Sequence, residues 1–179
     1  MGEPADHDLM ARVARGDQQA FRLLSRRHLR AALGLARRIV GSEAVAEELV
    51  QEAFLRVWVN APRWRPEAAF RTWLYRIVIN LCLNEARRPQ ALPLDAAGDP
   101  PDPTPQADTE LAARERDGLV AAAISALPAR QRAAIVLTYR QGLSNAEAAD
   151  ALDTSVSGVE TLLVRAKRTL RAALDTDSS

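Results

Sequence analysis

An acidic, proline-rich stretch divides the chain into two parts. Residues 89–112 hold six of the ten prolines and five acidic residues, with no lysine or arginine. Proline blocks helix and favours extended backbone, and this stretch has too little apolar surface to offset the entropy cost of ordering. The stretch therefore predicts a tether between two domains, at residues 1–88 and 113–175. Two interpretations of its acidity stay open: a solvated spacer, or a mimic of nucleic acid that occupies a basic channel.

Composition limits the classes of function. The chain has 179 residues, of which 47% are hydrophobic and 26% charged, and it contains no apolar run near the roughly 20 residues that a bilayer span needs. The polar N-terminus is unlike a secretory signal, so we expect a cytoplasmic protein without membrane insertion. We interpret Cys82 as a packing residue and both histidines, His7 and His28, as surface residues. Their spacing predicts no metal site, and nothing in the chain predicts a cofactor.

The periodicity of the first domain predicts an all-α fold. Apolar residues recur at helical spacing near 6–15, 17–40, 42–60 and 70–87, and no alternating strand pattern occurs. Gly16-Asp17 and Gly41-Ser42 break the first three segments, and Asp17 and Ser42 are suited to cap the helices that follow them.

The segment FRTWLYRIVINLCLNEARR, residues 70–88, predicts a helix with two different faces. Helical spacing gives a core-facing stripe of Phe70, Trp73, Leu74, Ile77 and Leu81, and a second stripe of Arg76, Asn80, Leu83 and Arg87. Arginines bind phosphates and an amide can pair with a base edge, so the second stripe suits a nucleic-acid strand. A helix whose arginines are simply solvated is the alternative, because charged stripes are usually surface.

Residues 142–174 have the pattern of a helix-turn-helix. Ser144 and Glu147 form a capping box that opens the first helix, and residues 153–155 supply the turn. The second helix has an apolar stripe and an outward face that starts with small polar residues and ends with arginines. This order matches a DNA-reading helix, whose first residues meet bases and whose later ones meet phosphates. A plain helical hairpin is the alternative. The inward residues are Val156, Val159, Leu163, Ala166 and Leu170, and the outward ones are Ser157, Thr161, Arg165 and Arg168.

Two further features of the first domain are candidate contact sites. The third helix leaves Glu48, Gln51, Glu52 and Leu55 together on an exposed side, which is a candidate for protein docking, although most such patches are solvated faces. The following loop places Trp64 between two arginines, where its indole can stack on an extruded base or fold back onto the core.

These segments resemble the extracytoplasmic-function sigma factors of the bacterial sigma-70 family over nearly the whole chain. The part of the chain similar to the start of sigma domain two reads DQQAFRLLSRRHLRAALGLARRIVGSEAVAEELVQEAFLRVW. Residues 70–88 resemble its promoter-melting helix. The part similar to domain four reads ALPARQRAAIVLTYRQGLSNAEAADALDTSVSGVETLLVRAKRTLR. The three resemblances occur in the family's order.

The resemblance implies a non-catalytic protein that directs core RNA polymerase to promoters. It implies docking on the clamp helices of the largest polymerase subunit and on the flap, minus-ten opening, minus-thirty-five reading, and control by an anti-sigma factor. Family members also use the linker to fill the RNA exit path. The implied polymerase-binding residues are Glu48, Gln51, Glu52 and Leu55. The implied minus-ten residues are Trp64, Arg76, Asn80 and Arg87. The implied minus-thirty-five residues are Ser157, Glu160, Thr161, Arg165 and Arg168.

Three positions depart from the family pattern, and three other functions are alternatives. Glu160 and Leu162 stand where many relatives carry arginine, and Trp64 replaces a smaller aromatic residue, so the resemblance does not extend to a preferred promoter sequence. A free helix-turn-helix regulator would leave the melting helix unexplained. A sigma mimic would need a receiver domain, for which no residues remain. An enzyme built on Glu47 and Glu52 would lack a nucleophile, a metal site and a phosphate cradle.

Overall fold

The computed structural model describes the backbone of residues 4–88 and 118–176, and the side chains as far as residue 175. These ranges consist of helices and short connections, with no strand among them, so the predicted all-α class is confirmed. The predicted tether at 89–112 lies outside the described residues.

The N-terminal bundle matches the predicted helices to within two residues at each end. It contains a short helix followed by two long helices, a short 3₁₀ turn at Ala61–Arg63 and a third long helix. The bounds are α1 Asp6–Val13, α2 Gln18–Val40, α3 Glu43–Asn60 and α4 Phe70–Arg87.

The breaks between these helices are made by the residues that the sequence predicts. The Asp17 carboxylate accepts hydrogen bonds from the backbone N–H groups of Gln19 at 2.9 Å and Ala20 at 3.0 Å. Ser42 Oγ accepts from Val45 N–H at 3.4 Å. Gly41 ends α2 at a φ of 79°, a left-handed conformation that glycine adopts without steric cost. The chain therefore reverses direction between α2 and α3 at a defined point.

The C-terminal bundle contains the predicted helix-turn-helix. Ser144 and Glu147 form the full capping box, and Asp153 ends the first helix of the motif in the left-handed region, at a φ of 51°. Aspartate tolerates this region better than most residues do. The described elements are α5 at 118–126, α6 Ala129–Ile135, a π-helical turn at Val136–Arg140, α7 Asn145–Leu152 and α8 Val156–Thr176.

The two bundles share one apolar core. In the N-terminal bundle α2 packs against α1, α3 and α4, and in the C-terminal bundle α8 packs against α6 and α7, while α7 also lies against α4. Tyr75 of α4 is 1% exposed and its hydroxyl donates to Gln141 Oε1 at 2.8 Å. Arg132 of α6 donates to the carbonyl of Ile39 at 2.6 Å. The structure therefore places the helix-turn-helix directly on the predicted melting helix.

Three predicted side-chain positions are wrong. Leu83 was expected on the exposed stripe of α4 but is 6% exposed, because α4 is covered by α2 and α3 and also by the C-terminal bundle. Val156 was expected inward but is 43% exposed, since it is the first residue of α8. His28 was expected at the surface but is 8% exposed, with Nε2 2.7 Å from Asp6 Oδ2 and its ring against Phe70.

Candidate nucleic-acid interface

A cavity of about 490 Å³ opens between the end of α3, the following loop and the exposed side of α4. It brings together Trp64 and Asn80, which the sequence places 16 residues apart and predicts for the same site. No described residue forms a hydrogen bond with the Asn80 side chain, so its amide is available to a ligand. The other lining residues are Arg56, Asn60, Arg63, Arg65, Glu67, Trp73 and Ile77.

Aromatic contacts hold Trp64 in place. Its ring centroid lies 6.4 Å from that of Trp73 and 5.8 Å from that of His7, with interplanar angles of 55° and 57°. Trp73 in turn lies 6.0 Å from Phe70. Tilted pairs at these distances are favourable arrangements for aromatic rings. The indole of Trp64 is therefore part-buried and positioned at the wall of the cavity, and its stacking on an extruded base stays a prediction.

The arginines predicted on α4 take different positions. Arg76 is exposed and lines a second cavity, of about 370 Å³, beside the first. Its guanidinium pairs with the Asp153 carboxylate of the C-terminal bundle at 2.8 Å. Arg87 is exposed in the last turn of α4 and lines neither cavity. The structure therefore places Trp64 at both cavities, Asn80 at the first and Arg76 at the second, and it leaves Arg87 further along the helix.

Several cavity residues were not predicted for this site. Trp73 was assigned to the core because it shares helical spacing with Leu74 and Ile77, but it is only part-buried. Asn60 and Arg56 were not predicted because they lie at the end of α3, before the loop that contains Trp64. One signal was present: a polar pair spaced four residues apart at the end of a helix, next to a loop rich in tryptophan and arginine.

The outward face of α8 is open over its whole length. All five predicted residues are exposed, and they follow one another along the helix. Thr161 Oγ1 donates to the Ser157 carbonyl at 2.9 Å. Arg165 and Arg168 have no carboxylate partner within 4–88 or 118–175, so their charges remain available to phosphates. The exposed residues of this predicted set are Ser157, Glu160, Thr161, Arg165 and Arg168.

The turn before α8 is tightly packed. A Cβ atom added to Gly158 would lie 2.5 Å from Thr154 Oγ1, which is closer than real contacts allow. Ser155 Oγ accepts from the Gly158 N–H at 3.1 Å and lies 3.0 Å from Ser157 Oγ. The start of the helix is therefore capped and fixed relative to α7.

The exposed side of α3 forms a mixed acidic and apolar face. All four predicted docking residues are exposed, and the side chain of Leu55 is 64% exposed. Val59, which was not predicted, continues the face one turn further and is 71% exposed. Leu55 and Val59, one turn apart, give this face its apolar component. The predicted members of this face are Glu48, Gln51, Glu52 and Leu55.

The described residues include no cluster of three or more histidine, cysteine or acidic side chains able to hold a metal ion. Cys82 is fully buried in α4, and burial raises the pKa of its thiol to about 12, as expected of a packing residue. Within the same ranges, none of the helices has the length and apolarity that crossing a membrane requires.

Two family models match the chain in the order of the two bundles. The model for sigma-70 region 2 matches residues 24–91, and the model for sigma-70 region 4 matches residues 117–170. The first match contains the cavity with Trp64 and Asn80, and the second contains the helix-turn-helix.

Relatives match nearly the whole chain. The ECF RNA polymerase sigma factor SigM of Mycobacterium tuberculosis is 35% identical over 96% of this chain and 86% of its own length. The sigma factor CnrH of Cupriavidus metallidurans is 35% identical over 98% and 97%. The solved structure of CnrH with the cytosolic domain of CnrY superposes with a TM-score of 0.73, covering 97% of this chain and 99% of that one, at 33% identity. The chain therefore belongs to the extracytoplasmic-function sigma factors of the sigma-70 family.

Proposed function

We propose that this protein is a non-catalytic initiation subunit that acts in the cytoplasm, where it opens promoters through the cavity between α3 and α4. The observation that carries the proposal is the cavity itself, which joins the Trp64 ring, the unpaired Asn80 amide and nearby arginines at one site. A flipped base needs a stacking surface and a hydrogen-bonding partner, and this cavity offers both.

The energetics of this site fit promoter melting without an ATPase. Unstacking a base costs a few kcal/mol, and stacking on an aromatic side chain is worth about 1–3 kcal/mol per base. Hydrogen bonds from Asn80 and phosphate contacts from Arg76 and Arg87 add to the stacking with Trp64. Binding of an extruded minus-ten base can therefore offset the cost of exposing it.

The second proposed DNA site is the outward face of α8. Ser157, Glu160 and Thr161 lie in its first turns, where a recognition helix meets base edges in the major groove. Arg165 and Arg168 follow, where they would hold phosphates. This order supports minus-thirty-five recognition by α8.

We assign binding of core RNA polymerase to the exposed face of α3. This face consists of Glu48, Gln51, Glu52, Leu55 and Val59, and it lies on a different side of α3 from the residues buried in the bundle core. Protein interfaces combine an apolar centre with a polar rim, and this face has both components. Its proposed partners are the clamp helices of the largest subunit, with the flap as a further contact for the C-terminal bundle. We propose that residues 1–88 and 113–175 are the two functional domains and that residues 89–112 join them.

Control by an anti-sigma protein completes the proposal. CnrH, a relative over nearly its full length, has been solved in a complex with the cytosolic domain of CnrY. By analogy, a protein partner that competes with polymerase would act on this chain through the same surfaces.

Run-off transcription with purified core RNA polymerase over a genomic fragment library tests the proposed function. Wild-type protein is expected to start transcripts at a small set of two-part promoters, and Asn80→Ala is expected to weaken them all. Gln19→Ala is the matched control, because Gln19 is an exposed amide on α2 that lines neither cavity. Folded wild-type protein that gives no specific starts would overturn the proposal.

A further inference from the structure

We infer that α1 supports the base-capture site: His7 positions the Trp64 ring, and the contact of Asp6 with α2 holds His7 in place. The inference rests on the proposed role of Trp64 as a stacking surface and deepens it. It gives a function to two side chains that the site otherwise leaves unused, the exposed ring of His7 and the buried ring of His28.

Ring contacts alone hold the indole of Trp64. This side chain lies in the loop after the 3₁₀ turn, and within 4–88 and 118–175 no residue forms a hydrogen bond with its Nε1. Its ring neighbours are Trp73 of α4, with centroids 6.4 Å apart, and His7 of α1, with centroids 5.8 Å apart. A loop side chain loses rotamer freedom when it binds a base, and neighbouring rings that restrict it beforehand reduce this cost. Trp64 therefore depends on α1 as well as on α4 for its position.

The short helix α1 is a firm support for this ring. Three of its eight residues are buried, and the helix packs against α2 and against the 3₁₀ turn that precedes Trp64. Arg12 pairs with the Asp17 carboxylate at 2.7 Å, which ties the last turn of α1 to the start of α2. The His7 ring therefore comes from a helix whose position the core sets. The buried residues of α1 are Leu9, Met10 and Val13.

A second set of contacts fixes the first turn of α1. Asp6 directly precedes His7, and its carboxylate lies 2.7 Å from Nε2 of the buried His28 on α2. The same carboxylate pairs with Arg27, which also donates to the carbonyl of Pro4 at 3.0 Å. A polar contact that is largely shielded from water is stronger than one at the surface. The Asp6 contacts therefore hold the residue next to His7 against α2.

These contacts form a closed circuit that includes the proposed stacking surface. The His28 ring lies 5.0 Å from the Phe70 ring, and the Phe70 ring lies 6.0 Å from that of Trp73. In a closed circuit of packed side chains, a shift of one ring must be accommodated at both of its neighbours, so each ring is restricted more than in an open row. The members in order are His7, Trp64, Trp73, Phe70, His28 and Asp6.

His7 acts through Trp64 and does not line the site itself. Its side chain is 60% exposed, and it lines neither of the two cavities at Trp64. Truncating an exposed side chain leaves the core intact, so a His7 variant should fold. His7 is therefore a positioning residue, and its loss should affect promoter opening only while Trp64 is present.

The first test is a double-mutant cycle of His7→Ala and Trp64→Ala in the full-length protein. Permanganate reactivity in the complex with core polymerase measures promoter opening. His7→Ala is expected to reduce opening about twofold to tenfold, the range that one aromatic pair gives, and to cost nothing further in the Trp64→Ala background. His7→Phe keeps a ring and is expected to restore most of the opening.

Two further variants complete the cycle. Asp6→Asn weakens the contacts of Asp6 with α2, so it is expected to reduce opening in the same Trp64-dependent way. Gln19→Ala, which truncates an exposed side chain on α2 outside the circuit, is expected to open promoters as wild type does. Losses from His7→Ala and Trp64→Ala that simply add would overturn the inference.

Fluorine NMR of the free protein, labelled with fluorotryptophan, tests the position of Trp64 without polymerase. The Trp64 resonance is assigned from its loss in Trp64→Phe. His7→Ala is expected to shift this resonance and to leave that of Trp58 unchanged, because Trp58 packs on Phe21 outside the circuit. An unchanged Trp64 resonance would overturn the inference whether or not promoters are opened. Wild-type opening by Trp64→Ala would instead refute the proposed stacking role, so the two failures are distinguishable.

Discussion

The rings of Trp64 and Trp73 lie 6.4 Å apart at an angle of 55°, and both face the cavity that contains the Asn80 amide. One ring comes from the loop after α3 and the other from the first turn of α4. The pair therefore joins the loop to the helix, so that the position of the stacking surface depends on the packing of α4.

Replacing Trp64 by alanine is expected to reduce promoter opening about fivefold or more, since stacking on an aromatic side chain is worth about 1–3 kcal/mol per base. Permanganate reactivity of unpaired thymines in the polymerase complex measures the opening. Trp64→Phe keeps an aromatic face and is expected to retain most of it. Opening by Trp64→Ala at the wild-type level would show that the captured base rests elsewhere.

Removing Arg165 and Arg168 is expected to weaken binding of minus-thirty-five duplex DNA and to flatten its dependence on salt. Each phosphate contact contributes about 0.9 to the slope of log K against log salt, so the double alanine variant loses about 1.8. A salt titration by fluorescence anisotropy measures the slope. Arg38→Ala, at an exposed position of α2, should leave the slope unchanged. A slope retained by the double variant would contradict phosphate binding by this face.

Truncating Leu55 and Val59 together is expected to weaken binding to core RNA polymerase by at least about tenfold, because buried apolar anchors dominate interface energies. Both side chains are exposed in the free protein, so folding should be unaffected. Competition against a labelled wild-type protein measures the affinity. Leu29→Ala serves as the control, since Leu29 is a 46% exposed leucine on α2. If the double variant and Leu29→Ala lose the same amount of affinity for polymerase, α3 is not part of the polymerase interface.

Stability is expected to fall in acid below about pH 5. Hydrogen bonds from the Ser144 backbone and side chain hold the pKa of Glu147 below its ordinary value of 4.5, and backbone N–H donation from Ala20, followed by Arg12, does the same for the pKa of Asp17 below 3.8. Carboxyls with lowered folded pKa values stabilise the fold above the ordinary values and lose this effect as the pH falls through the folded values.

Thermal unfolding between about pH 3 and pH 6 measures the effect. Glu147→Gln keeps the cap but cannot ionise, so its unfolding temperature should vary less across this range than that of wild type. An identical pH dependence in both proteins would exclude Glu147 as a contributor.

Local signals in the sequence predicted the helices and their ends. Capping at Asp17, Ser42 and Ser144 depends on residues within three positions of the cap, and all three caps are present. The joint location of Trp64 and Asn80 was also predicted, through the resemblance to the family. Local sequence patterns therefore predicted the fold class, and the resemblance to the family predicted that Trp64 and Asn80 lie together.

Contacts between distant segments could not be predicted in the same way. Leu83 was predicted to be exposed because helical periodicity describes a helix with one covered side. In the structure α4 is covered on more than one side, and Leu83 is buried. His28 contacts Asp6, 22 residues away, and Phe70, 42 residues away. The Arg76–Asp153 pair spans 77 residues and both bundles. Such contacts arise from packing between elements, which the spacing within a single helix does not encode.

The carboxylates of Glu147 and Asp153, which pair with Arg71 and Arg76 of α4, belong to the same continuous segment as the outward face of α8. Exchanging this segment for that of another family member would therefore transplant two properties together. The chimera would acquire a new outward face on α8, and it would also acquire new ion-pair partners for Arg71 and Arg76. Its DNA reading and the packing of its two bundles would change together, so the two properties are not independently exchangeable in this chain.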